Sequence, residues 1–491
     1  MSTVNPRRWW ALLVLAVAQF MVIMDVSIVG VALPEMQREL GFAASELQWV
    51  INAYVVAFGG LLLLGGRLSD LLGARRVFIT GWVVLMAGSV VAALAGSAGT
   101  EVVGRAVQGV GGALIAPAAM TLLMVLFSHD PKELGKAMAF YGAAAPAGGT
   151  AGVFLGGVFT EWMSWPWIFW IYLPIGLVTL LAVNLLPDVG RRRGAVDVLG
   201  AAAVTLGLAL AVFTVVRTES DGWASASTVL GLAGAAVLLA GFLVLQKTVR
   251  SPLMPLSIWR TPRLASANVA MALLGGAWIP MWYFLNLYLQ QVLGYGAFAA
   301  GAALLPMTTL LMVFMIGITG RLMGRFGMKP LLSGGLLVLA LGLVWLAAVE
   351  PTGTFLVDVL PASLVAALGM SLAYIPGLMA AMSGAPQEQA GLASGIVNTT
   401  YQVGSALGLA ALTAIATAAG ADRLGDLPAL TEGFSAAFIG AAVVAAAGSL
   451  LTAMLMRGGR DAGDSADAGA PAAESAPEPD AGARPGEGVR V

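Results

Sequence analysis

Asp25 is the residue whose type and place most demand a chemical explanation. It lies roughly sixteen residues into a long apolar run, toward the far half of that run. A charged carboxylate at the centre of a bilayer costs about 2.5–3.5 kcal/mol on insertion scales. Such a group avoids the cost by binding a proton. A carboxyl that alternates between two exposures and two protonation states is what proton exchange requires. Helix packing is the plainer use of the same residue. Arg105 and Gln108 are three apart and share one face of a second apolar helix. An arginine keeps its charge almost anywhere, so Arg105 needs water or a partner. It could hold a nearby carboxylate in one conformation and release it in another, with Asp25 as the candidate. The alternative is an arginine that snorkels to the interface. No other acid falls clearly deep in a span: Glu161 and Asp358 sit near helix ends.

A third group is a loop, Gly66-Arg67-Leu68-Ser69-Asp70-Leu71-Leu72-Gly73-Ala74-Arg75-Arg76. Gly66 and Gly73 are expected to permit a tight turn. Asp70 can accept from backbone N–H groups at a helix start or pair with a base. With Arg67, Arg75 and Arg76 it reads as a latch made in one conformational state and broken in another. It is a gate rather than a substrate site.

These residues need helices in a membrane to position them. The chain has 491 residues, of which 59% are hydrophobic and 10% charged; its mean hydropathy is +0.89. Soluble chains are about 25% charged, so this one cannot coat a water-exposed surface. Lys and Arg number 25 against 26 Asp and Glu, which gives no case for nucleic acid. There is no Cys and one His, His129, which removes disulfides, thiolate chemistry and histidine metal clusters. No nucleotide-binding, zincin or serine-hydrolase motif is present, so an enzyme or a primary pump is not expected. No cofactor and no metal are expected either.

A spanning helix needs about 20 apolar residues. Fourteen such segments are legible: 9–33, 48–66, 77–97, 102–126, 135–160, 166–186, 196–216, 224–245, 264–289, 296–319, 331–349, 354–382, 391–419 and 433–456. The first continues to Leu33 without a small-x-small cleavage site, which suits a retained helix better than a signal peptide. With a cytoplasmic N-terminus, 21 Lys and Arg fall in inside loops and tails and three, Arg38, Arg217 and Arg423, fall outside. That is the positive-inside pattern, and gaining or losing one early span would reverse it. Twelve spans keep the parity but fit less well.

The loop after the tenth segment, Gly320-Arg321-Leu322-Met323-Gly324-Arg325-Phe326-Gly327-Met328-Lys329, repeats the first loop at an offset of 254 residues. It has Gly324 in place of the acid. Two related halves follow, and they align only if segments seven and eight lie between six-helix halves. The expected fold is an all-α polytopic membrane protein of two six-helix halves plus two additional central helices. Its parts are a cytoplasmic N-terminus 1–8, a bundle 9–186, a basic connector 187–195, two extra helices 196–245, a cytoplasmic loop 246–263, a second bundle 264–456 and a disordered acidic tail 457–491. Gly148, Gly152 and Gly156 in the fifth segment, and Gly391, Gly395, Gly404 and Gly408 in the thirteenth, let helices approach closely.

At these motifs the chain resembles the fourteen-helix drug:proton antiporters of the major facilitator superfamily. "GGRLSDLLGARR" matches that family's loop between helices 2 and 3, and "MDVSIVGVALP" its first-helix motif centred on Asp25. "GRAVQGVGGA" matches its helix 4 motif and "AGLASGIVNTTYQVGSALGLA" resembles its helix 13 segment. Where the family carries Gly-Pro in helix 5, this chain has Gly152-Val153. Where it carries Trp-Arg-Trp and a following Asn, this chain has Trp165-Pro166-Trp167 and Tyr172. The resemblance implies a major facilitator fold and a coupling role for Arg105. It implies proton-driven export of an organic drug-like compound across the cell membrane; an apolar or cationic compound, a monomer and, from the loop charges, both termini inside are expected.

A cavity between the halves would take such a compound. Candidate linings are Gln19, Asn52, Tyr54, Gln108, Tyr141, Tyr283, Asn286, Tyr374, Asn398, Tyr401 and Gln402, with Trp282, Tyr288 and Gln290 beside them. Interfacial anchoring is the competing use of such aromatics, and Trp9, Trp10, Trp49 and Trp345 are assigned to it. Export of a metabolite by the same fold, and a non-transport receptor, stay open as alternatives.

Overall fold

The computed structural model describes residues 7–42, 49–188, 197–222, 224–249, 252, 254–261, 263–383, 390–421, 423 and 425–456. The acidic tail and most of the basic connector lie outside the described residues.

A backbone in hydrocarbon must satisfy its own polar groups, and long helices do so. Among the described residues there are fourteen. They are α1 (Arg8–Leu40), α2 (Trp49–Leu72), α3 (Ala74–Ala93), α4 (Ala98–Phe127), α5 (Pro131–Trp162), α6 (Trp167–Leu185) and α7 (Val198–Asp221). Then come α8 (Ala226–Thr248), α9 (Leu264–Val292), α10 (Phe298–Phe326), α11 (Met328–Leu346), α12 (Phe355–Met382), α13 (Leu392–Ala421) and α14 (Leu427–Leu455). Thirteen are long and apolar enough to cross a membrane; α7 has a shorter apolar stretch, Leu199–Val215. Side chains placed just outside the apolar runs set the starts. Ser97 Oγ accepts from Thr100 N at the head of α4, Asp130 from Lys132 N at α5, Asp197 from Gly200 N at α7, and Asp426 from Ala429 N at α14.

The internal repeat is visible in packing. Gly73 and Gly327 turn the chain into α3 and α11 with φ of +93° and +83°, a conformation that glycine adopts without a Cβ penalty. The offset between them is again 254. Gly66 does not belong to that turn. It lies within α2, where its Cα faces Gly395 of α13, so its missing side chain serves helix contact. Helix α3 interlocks with α4 as α11 does with α12. A Cβ on Gly88 would come within 2.6 Å of Gln108 N, and one on Gly342 within 2.5 Å of Ala366 N. Gly88→Val is therefore expected to destabilise the protein by about 1–3 kcal/mol, the usual range for overpacking. Thermal unfolding in detergent checks it; an unchanged Tm would contradict the interlock.

The two extra helices are central in the sequence but peripheral in the bundle. Helix α7 packs on α2 and α13, with Gly60 against Ala209. Helix α8 leans on α7 and leaves Leu230 and Val237 open to the surroundings. Nothing in an apolar sequence distinguishes a lipid-facing helix from an interior one, because lipid and core select the same residues. Among the described residues, the four π turns, Tyr288–Val292, Met315–Thr319, Phe355–Val359 and Thr417–Ala421, fall in the last six helices. They mark local breaks in helix regularity there.

Candidate functional site

Asp25 and Arg105 meet inside the first six helices, both with no exposed surface. Arg105 Nη1 donates to Asp25 Oδ2 at 2.5 Å and to Gln108 Oε1 at 2.6 Å. Arg105 Nε donates to the carbonyl of Val50, at the start of α2, at 2.8 Å. Gln108 Nε2 in turn donates to Ser89 Oγ of α3 at 2.8 Å, and Ser89 Oγ to Leu85 O. The Tyr54 and Phe169 rings flank the guanidinium, with centroids at 4.9 and 5.8 Å. Tyr54 OH donates to Val22 O, and Tyr172 OH to Met21 O, which fixes the α1 backbone just before Asp25. Residues of α1, α2, α3, α4 and α6 thus converge on one ion pair.

The packing behind Asp25 is equally tight. Gly148, Gly152 and Gly156 of α5 all face α1, and a Cβ on Gly152 would lie 2.7 Å from Ser27 Cβ and 2.8 Å from Met24 O. The equivalent small-residue contact in the second half joins Gly404 and Gly408 of α13 to α9.

A buried ion pair gains little net stability, because the desolvation of each charge offsets the attraction. This pair also leaves Arg105 Nη2 without a partner, and beyond Arg105 the Asp25 carboxylate has only the Tyr172 hydroxyl close by. An incompletely satisfied charged group in a core is costly, so the arrangement holds two charges that a single proton could uncouple.

Tyr54 and Gln108, read from sequence as cavity candidates, sit in this network. Four others cluster where the two halves meet. Tyr141 OH donates to Gln19 Oε1 at 2.9 Å. The Tyr374 ring lies against Gly142 of α5 and meets Tyr401 edge-on at 5.8 Å. The hydroxyls of Thr150 and Thr308 hydrogen-bond across the same seam. Asn52, Asn286, Asn398 and Gln402 are half-buried; Asn286 accepts from Gln290, and Asn398 donates to Ser394 O. Tyr283 is 41% exposed, against Phe284. Tyr288 is instead fully buried, with its OH donating to Glu350 O at 2.6 Å. A separate apolar cleft of about 560 Å³, bounded by Phe159, Trp167 and Pro174, contains none of these residues.

At the end where α2 turns into α3, Asp70 Oδ2 accepts from the backbone N–H of Leu392 at 3.1 Å. Leu392 belongs to the first turn of α13, so a carboxylate of one half caps a helix of the other. Arg75 Nη2 donates to Asn184 Oδ1 at the end of α6 at 2.9 Å, and Arg76 is exposed. Arg67 Nε is buried with no partner. Asp70→Ala removes one charge-assisted bond between halves, worth about 1.5–3 kcal/mol. It is expected to slow turnover severalfold while equilibrium substrate affinity stays within about twofold. Stopped-flow transport beside equilibrium binding checks this; equal losses in both would contradict the latch.

One buried acid went unread in the sequence. Glu101, in the first turn of α4, has no exposed surface. The apolar run suggests a span from 102, four residues after the helix start and one past Glu101. The Ser97-x-x-Thr100 cap, which starts the helix at Ala98, was the signal that places Glu101 inside it. Tyr172 and Phe169 were also missed as parts of the pair's shell; no local pattern singles them out. Among the described residues, no group of acids and His could hold a metal ion.

The profile of the Major Facilitator Superfamily matches residues 15–409. The chain is 37% identical over 450 residues to the cephamycin export protein CmcT of Amycolatopsis lactamdurans, covering 91% of this chain and 92% of that one. It is 36% identical to the puromycin resistance protein of Streptomyces alboniger, covering 86% and 84%. Among solved structures, the proton:xylose symporter XylE superposes with a TM-score of 0.66 at 14% identity, covering 93% of this chain and 97% of that one. That likeness shows the fold.

Proposed function

Since the chain belongs to the Major Facilitator Superfamily, we propose that it exports a drug-like or antibiotic compound in exchange for protons, by alternating access. It is a polytopic membrane protein and a transporter, not an enzyme. The observation that carries the coupling is the Asp25–Arg105 pair, fully buried and incompletely satisfied.

The cycle follows from that pair. Protonation of Asp25 removes its charge and releases Arg105. The freed guanidinium keeps Gln108 and the Val50 carbonyl, so α1 loses its strongest tie to α4. Helix α1 then shifts along the glycine face of α5. Loss of the proton on the other side restores the pair. The end bearing Arg8, Arg75 and Lys132 faces the cytoplasm by charge bias, with both termini inside. Asp70 on Leu392 N is then a cytoplasmic latch. Each proton entering under an inside-negative potential supplies roughly 2.3 kcal/mol per 100 mV, enough for a concentration ratio of roughly fifty for neutral substrate.

The compound is apolar or cationic and binds between the halves, beside Gln19, Tyr141, Tyr374 and Tyr401. The relatives named for cephamycin export and puromycin resistance support an antibiotic of that kind. The transporter works as a monomer. Purified protein in vesicles with a pH-sensitive dye, challenged with puromycin, a cephamycin and a panel of metabolites, tests this. Proton flux triggered by an antibiotic supports the reading; flux triggered only by metabolites replaces the substrate class and keeps the mechanism.

A further inference from the structure

The exchange described above uses one carboxyl, yet a second is buried one helical turn away. Glu101 precedes Arg105 by four residues on α4, so the two side chains share a face with a rise of about 6 Å between them. Both Glu101 oxygens are buried without any hydrogen-bond partner. An acid that served only the helix dipole would bond a free N–H of its own first turn; here Ser97 does that instead. Arg105 Nη2, the one nitrogen of that guanidinium with no partner, is likewise unmatched. The guanidinium nitrogen that is missing an acceptor and the Glu101 oxygens that are missing a donor therefore stand on adjacent turns of α4, with Asp25 facing Arg105 from α1.

We propose that Glu101 is a second proton-binding carboxyl, which exchanges with Asp25 for the single guanidinium of Arg105. The proposal rests on the reading of Asp25 as the coupling carboxyl. In the state described, Arg105 is paired with ionised Asp25 and Glu101 carries a proton, so the cluster has no net charge. In the exchanged state the Glu101 proton has passed to Asp25, Glu101 is ionised on Arg105 Nη2, and Asp25 is a neutral acid. One O–H bond breaks and one forms, Arg105 keeps its charge throughout, and the net buried charge stays zero. The exchange thus avoids the step that costs most in hydrocarbon, an unpaired ion.

Position gives the exchange a direction. Gly99 and Thr100, just before Glu101, are exposed, whereas Asp25 is not. Glu101 is thereby the carboxyl nearer to water at that end and the point where protons enter. The charged groups acting on it are Arg105 and Asp25. Tyr54 of α2 and Tyr172 of α6 surround the pair. The charges on α3, Arg75 and Arg76, lie at its other end, and Glu161 at the end of α5 is exposed.

The test is infrared difference spectroscopy of the purified full-length protein in lipid vesicles as pH is varied, read at the carboxylic-acid C=O stretch. Wild type is expected to show a buried protonated carboxyl at neutral pH. Glu101→Gln loses that band, and Glu101→Asp keeps it at a shifted frequency. In Asp25→Asn the band weakens, because Arg105 then pairs with ionised Glu101. A wild-type spectrum without the band, or a band unchanged in Glu101→Gln, overturns the proposal. If Glu101→Gln does not fold, a Glu101→Asp spectrum without the band overturns it equally. Coupled export that survives Asp25→Asn would instead overturn the reading of Asp25 alone.

Discussion

Asp25→Asn is expected to abolish proton-driven accumulation while leaving a folded protein. The amide keeps the size of the side chain and can still accept from Arg105 Nη1, which now reaches Asp25 Oδ2 at 2.5 Å. It cannot gain or lose a proton in the working range. The variant should therefore exchange substrate across a membrane at equal pH, yet fail to concentrate it when a pH gradient is imposed. At a driving force of about 2.3 kcal/mol per proton per 100 mV, the lost accumulation is roughly fiftyfold. Vesicle uptake with and without the gradient measures both halves of the statement. Accumulation equal to wild type would show that Asp25 is not the coupling group.

Arg105→Ala should be nearly as severe, for a different reason. It deletes the donor to Asp25, Gln108 and the Val50 carbonyl at once. Removing one partner of a buried charged pair costs about 3–5 kcal/mol. Here Asp25 can escape part of that by holding its proton permanently. The damage therefore appears as loss of turnover, roughly a hundredfold, more than as unfolding. In proton-driven transport, Asp25→Asn combined with Arg105→Ala should be little worse than Arg105→Ala alone, since the contact that Asp25 makes is already lost with Arg105. Additive losses, measured as transport rates in a double-mutant cycle, would mean that they act separately.

The fold was largely legible because its main signal, runs of about 20 apolar residues with basic loops between them, survives without tertiary detail. The repeated Gly-Arg-Leu loops carried the two-half architecture, and the glycines at matching offsets interlock α3 with α4 and α11 with α12. What escaped depended on end effects or on neighbours. Hydropathy averages over a window and so places the start of α4 after Glu101, whereas Ser97 sets the boundary by one hydrogen bond. In the sequence Gly66 reads as a turn residue, because a glycine within a helix and one in a turn look alike until the partner, Gly395, is seen. Asp25 and Arg105 stood out as charges in apolar runs. That Tyr54 and Gln108 stand in their shell, while Gln19, Tyr141, Tyr374 and Tyr401 gather between the halves, depends on which way each helix is rotated. Weak amphipathicity in a lipid-facing bundle does not fix that rotation.

The account stands on one coupling, between proton movement and substrate movement through the Asp25–Arg105 pair. The most direct measurement is proton flux into vesicles holding the purified protein under an imposed pH gradient, with and without transported compound. The account predicts a flux that begins when the compound is added and is absent in Asp25→Asn. A compound that moves at the same rate whether or not the gradient is present, with no accompanying proton flux, would contradict it.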